Sequence, residues 1–179
     1  METVIRLAVL CLVLALPLPA AADCYAVDPA AGRVSFEVSQ AGAPFRGVFR
    51  RFGGKLCIEG AAVSRIDVWL DPASVDTGLP EIDAALKDKE FFAVAQYPRI
   101  AFAGQGDAAR ARGTFEIKGK RGPADVPFRL VTNGGKPTVS GTFMLDRLQY
   151  GIGTGDWSDT RWVGKDVKVE FSARLSPAN

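Results

Sequence analysis

Val167-Lys168-Val169-Glu170-Phe171-Ser172-Ala173-Arg174-Leu175 decides the fold. Apolar and polar side chains alternate through it without a break. Successive side chains of an extended chain point to opposite faces, so the stretch predicts a strand with one dry and one wet face. Toward the N terminus the same period recurs. Val139, Gly141, Phe143 and Leu145 share a face, as do Val126, Phe128 and Leu130. Ile66, Val68 and Leu70 alternate with Asp67, Trp69 and Asp71. Val34, Phe36 and Val38 alternate with Ser35, Glu37 and Ser39. Shorter runs at residues 45–52, 55–58, 99–103 and 112–117 fit the same reading.

Gly53-Gly54, residues 119–122 and Asn133-Gly134-Gly135 separate these runs and predict hairpin connections. One segment breaks the period. Residues 80–88 predict a helix: Pro80 stands at its start, acidic residues fill its first turn, and Ile82, Ala85 and Leu86 share a face. Phe91 and Phe92 follow directly. The expected fold is all-β: an eight-stranded antiparallel barrel with one short helical segment near Pro80 to Phe92. A sandwich is the alternative. A closed barrel leaves no strand edge to protect, and eight strands enclose room for one small ligand. Gly47 and Gly141 are expected to widen that room.

Residues 7–18 form an apolar run, with Arg6 before it and Ala20, Ala21 and Ala22 after it. This is the layout of a cleaved secretory signal peptide at residues 1–22. The run is shorter than the roughly 20 residues a membrane-spanning helix needs. A buried N-terminal helix is the competing reading. Residues 23–179 then form one domain, a usual size for a single core. Cys11 lies in the leader, leaving Cys24 and Cys57 as an even pair in an exported chain. A bridge between them would stabilise the fold by roughly 4 kcal/mol. Two free thiols, or a lipid-modified Cys24, are the alternatives.

The chain has no histidine and a formal net charge of +2. Ser-His and Cys-His nucleophile pairs are therefore excluded, and two cysteines alone do not make a zinc site. No catalytic or metal site is expected. Nothing suggests nucleic acid, which requires a concentrated basic face. Asp156 and Asp159 are the one carboxylate pair that a hydrolase reading can use, although solvation or local backbone bonds explain them as well. What the chain does carry is aromatic and aliphatic material on its dry strand faces, which suits an apolar ligand cavity.

The stretch Asp83 to Phe102 resembles the central motif of YceI-like proteins, above all Phe91-Phe92, Tyr97-Pro98 and Phe102. Ser74-Val75-Asp76-Thr77-Gly78 precedes it, as in that family. Further matches are Phe45-Arg46-Gly47-Val48-Phe49, residues 113–119, residues 143–153 and the terminal strand 167–171. The resemblance implies a periplasmic, lipocalin-like barrel. Its interior would hold a long amphiphile: a polyisoprenoid, a polyprenyl quinone or a fatty amide. No cofactor is required beyond such a bound isoprenoid or quinone-type lipid. It also implies a cytochrome b561-type membrane protein as a partner, and a homodimer is allowed for. Many members carry histidines near the helical motif and the first strand, where this chain has Ala85 and Arg33. The expected ligand contacts are Phe36, Val38, Phe49, Leu86, Phe92, Phe102, Phe143 and Phe171. A one-residue slip would invert any of these strand faces.

Overall fold

The computed structural model describes residues 22–107 and 109–178. The expected signal peptide, residues 1–22, lies outside them except for Ala22. Eleven strands form one antiparallel sheet: β1 (Asp23–Gln40), β2 (Ala43–Phe49), β3 (Phe52–Glu59), β4 (Ala62–Leu70), β5 (Val75–Asp76), β6 (Ile100–Gly106), β7 (Arg110–Ile117), β8 (Lys120–Pro127), β9 (Arg129–Asn133), β10 (Lys136–Asp146) and β11 (Asp166–Pro177). The helix α1 (Pro80–Lys87) lies between β5 and β6. The hydrogen-bonded order is β8-β7-β6-β4-β3-β1-β11-β10-β9.

Two chain bends turn this list into eight positions around a curled barrel. β8 and β9 are one strand bent at Phe128: its first half pairs with β7 and its second with β10. The ends of the hydrogen-bonded path are thus joined through the chain itself. β2 and β3 are likewise one bent strand, pairing with the C-terminal and N-terminal parts of β1. β5 is a two-residue addition to β2. Among the described residues no ladder joins β8 to the Gly141–Asp146 half of β10. Tyr150, which is 2% exposed, packs there with Ile117 and Ile152.

The glycine pairs behave differently from one another. Gly134-Gly135 make the β9–β10 turn as expected. Gly53 and Gly54 do not turn: they lie inside β3, and a side chain at Gly54 would run into the backbone of Asp67 and Val68 on β4. Before β3 the chain makes no hairpin turn and only bends, at Arg50 and Arg51. The β7–β8 turn is Lys118-Gly119, both left-handed at φ 50° and 71°, which is the two-residue hairpin geometry matched to strand twist. Gly122, part of the expected turn, is inside β8.

Cys24 and Cys57 face each other across the β1–β3 ladder and are bridged, with Cα atoms 4.0 Å apart. This overturns both the free-thiol and the lipid-modified readings of Cys24. The main core joins Leu56, Val63, Ile66, Phe102, Ala111, Val126, Val139, Ala173 and Leu175, drawn from nearly every strand position.

Candidate functional site

The dry faces of the strands do not meet in a solid core along their whole length. Two apolar cavities run through the barrel. The first, about 170 Å³, lies under α1. Ile82, Ala85 and Leu86 of the helix cover it, and Phe36, Val38, Phe45, Phe49 and Phe92 line it. The second, about 180 Å³, lies toward the other end, between Phe52, Leu56, Phe102, Val126, Val139 and Phe171. Val34, Leu70, Phe115, Phe143 and Val169 line both and form a waist where the two meet.

Alternation places these residues. On β1, Val34, Phe36, Val38 and Gln40 point inward in phase. On β11, Val167 and Val169 face the first cavity and Phe171 and Ala173 the second. The aromatic rings touch in sequence: Phe102 to Phe115 at 5.0 Å, Phe115 to Phe143 at 5.4 Å, and Phe143 to Phe171 at 6.3 Å between centroids. Near the helix, Phe49 stands between Phe36 at 5.6 Å and Phe92 at 5.7 Å. Such offset and edge contacts add to plain apolar burial.

All eight residues singled out from the sequence line these cavities: Phe36, Val38, Phe49, Leu86 and Phe92 the first, Phe102 and Phe171 the second, Phe143 both. Gly47 and Gly141 act differently from the expectation. A Cβ at Gly47 would fall 2.5 Å from the Phe36 ring, and one at Gly141 2.5 Å from the Phe171 ring. Each glycine lets an aromatic ring lie flat on the strand and adds no free room.

The end under α1 is closed by two segments, the expected helix and a second stretch that period and composition do not reveal. Asp83 accepts hydrogen bonds from the Thr77 amide at 2.8 Å and the Thr77 hydroxyl at 2.7 Å, tying the helix to the end of β5. Opposite it, residues 147–165 wrap around the Arg147 guanidinium. Arg147 is 2% exposed and donates five hydrogen bonds, to the carbonyls of Gly164, Ile152, Gly153, Trp157 and Val163, at 2.7 to 3.1 Å. Burial pushes its pKa below the ordinary guanidinium value, opposed by the Asp146 charge. Lys118 ties the two segments together through the carbonyls of Lys89 and Gly151, at 2.7 and 2.8 Å. Trp157 lines the cavity, packs against Phe91 at 5.5 Å, and donates its indole N–H to Glu90.

The carboxylates give no support to hydrolysis. Neither Asp156 nor Asp159 lines a cavity. Asp159 is held down to about 2, first by the side-chain hydrogen bond from Arg161, which grips both its oxygens. A carboxylate so held is a poor proton donor near neutrality. Among the described residues, no group of three or more His, Cys, Asp or Glu is placed to hold a metal ion.

The YceI-like domain model matches residues 25–175, from within β1 to within β11. The chain belongs to the YceI-like family. A UPF0312 protein of Azotobacter vinelandii is 33% identical over 89 residues, covering 48% of this chain and 46% of that protein. The match thus spans about half the length of that curated relative. Among solved structures, Burkholderia cenocepacia BcnA superposes with a TM-score of 0.79 at 27% identity, covering 84% of this chain and 99% of BcnA. A polyisoprenoid binding domain from Saccharophagus degradans, implicated in plant cell wall breakdown, superposes with a TM-score of 0.73 at 17% identity over 86% of this chain and 98% of that domain. This YceI-like chain shares its fold with both.

Proposed function

We propose that this YceI-like protein is a periplasmic carrier for a long, mostly apolar lipid, with an isoprenoid chain as the best match. The observation that carries the reading is the pair of apolar cavities meeting at a common waist. A linear chain suits that shape better than a compact ring system does. The polyisoprenoid-binding description of the Saccharophagus domain points the same way. The energetics are adequate. At roughly 0.3 kcal/mol per heavy atom, each isoprene unit adds about 1.5 kcal/mol. Five or six units then reach the ~8 kcal/mol of a micromolar complex. The Cys24–Cys57 bridge favours an oxidising compartment, and the leader-like residues 1–22 favour export into it.

The test is to purify the exported protein from bacteria, extract it with organic solvent, and analyse the extract by mass spectrometry. A prenyl or acyl amphiphile is expected in near-stoichiometric amount. Protein that is consistently empty, and that takes up neither class when offered, overturns the reading.

A further inference from the structure

The walls of the first cavity bear few polar groups, and their bonding differs. Among its lining residues only Gln40, Arg147 and Trp157 carry a side-chain N–H. Arg147 is fully committed: all five of its N–H groups point at backbone carbonyls. The Trp157 indole N–H is committed to the Glu90 carboxylate at 3.1 Å. Gln40 is the last residue of β1 and continues the inward set Val34, Phe36, Val38 as its one polar member. Its backbone is fixed by a bridge to Val163. Its side-chain amide enters no hydrogen bond among the described residues. The exposed turn Ala41-Gly42 follows directly, so this amide stands at the rim, with the apolar interior behind it.

We infer that Gln40 recognises the polar end of the bound lipid, and that this end is an uncharged group able to hydrogen bond, such as an alcohol, a ketone or an amide. The inference rests on the carrier reading. An amide both donates and accepts, so it serves a hydroxyl, a carbonyl or another amide equally. An ionised carboxylate or phosphate would find the Arg147 charge nearby but none of its N–H groups free. Taking such an anion out of water without charge-assisted donors is strongly unfavourable.

A matched set of short isoprenoids decides the matter: an alcohol, the corresponding primary amide, the carboxylic acid at pH 8, and the headless hydrocarbon. Each displaces an environment-sensitive apolar dye from the full exported protein and from the variants Gln40→Met and Gln40→Leu. In the parent protein the alcohol and amide are expected to bind more tightly than the acid. Both variants are expected to lose about fivefold in affinity for alcohol and amide, the worth of one ordinary hydrogen bond, with the hydrocarbon unchanged. The hydrocarbon arm shows that the variant cavities are intact. Unchanged alcohol and amide affinities in both variants overturn the assignment. So does an acid that binds the parent protein most tightly, since the Arg147 charge would then govern. If the hydrocarbon and all three amphiphiles fail to enter, the carrier reading falls and this inference with it.

Discussion

Arg147 shows how one residue can hold a loop that has no regular structure of its own. Its guanidinium replaces water for five carbonyls in the 147–165 segment, and among the described residues no carboxylate bonds to it. A buried carbonyl left without a donor costs on the order of 1–3 kcal/mol, although some of these would rehydrate as the loop loosened. Arg147→Met is therefore expected to lower the unfolding free energy by about 3 kcal/mol or more. Arg147→Lys should rescue only part of the loss, because an ammonium has three donors and no planar fork. Urea denaturation followed by tryptophan fluorescence measures both. A loss under about 1 kcal/mol for Arg147→Met would mean that the segment is held mainly by its apolar contacts, Ile152 and Val163 among them. Nothing in the sequence singles this arginine out. It sits beside Asp146 in the aperiodic run Asp146-Arg147-Leu148-Gln149 and reads as an ordinary surface charge. Its burial arises only once the chain 16 residues further on, at Val163, folds back over it. Gln40 was not singled out from the sequence either, although its place in phase with Val34, Phe36 and Val38 is a signal that could have found it.

At the scale of elements, alternation was informative because one side of each strand faces the interior between bulges; the phase shifts only at irregularities such as Asp28–Gly32 in β1 and Val63–Ile66 in β4. Val34, Ile66, Val126, Val139 and Val167, each read as starting a dry face, all line a cavity or join the buried core. The helix was equally plain, and its Ile82, Ala85 and Leu86 face cover the first cavity as their spacing suggested. Connections were harder to read. A glycine pair marks a turn where positive φ is needed, as at Gly134-Gly135, but it also marks a strand pressed against its neighbour, as at Gly53-Gly54. Composition does not separate the two cases. The bend at Arg50-Arg51 carries no glycine or proline and left no local signal, whereas the bend at Phe128 follows Pro127 directly. The disulfide staples β1 to β3 near residue 24, whereas Gln40 and α1 lie toward the opposite end of β1. Replacing both cysteines by serine is thus expected to cost about 2–4 kcal/mol of stability while leaving lipid uptake at moderate temperature unchanged. Thermal melting with and without reductant, paired with the dye-displacement assay, checks this. A melting temperature indifferent to reductant would show that the bridge adds nothing to the register that the strand ladder already sets.

For the molecule as a whole, the waist decides how much of the barrel one ligand can use. Val34, Leu70, Phe115, Phe143 and Val169 come from five different strand positions, so the constriction belongs to the curled barrel as a whole and to no local motif. Phe115 and Phe143 stack across it at an interplanar angle of 22°, and a chain crossing from one cavity to the other must slide past them. Affinity in a series of prenyl alcohols should therefore rise with each isoprene unit while the chain fills the first cavity and then extends into the second. It should level off where the second cavity ends. Val169→Phe adds a ring at the waist. Overpacking of this kind costs about 1–3 kcal/mol, which a disulfide-stapled barrel of this size is expected to tolerate. The variant should bind short prenols as the parent does and reach its plateau at a shorter chain. The comparison of plateaus is the informative measurement, because a general loss of stability would lower every affinity together, whereas a blocked waist cuts only the long ones. Equal plateaus in parent and variant would mean that the ligand occupies the first cavity alone. The second would then be a packing defect left beside Ala111, whose small side chain lines it.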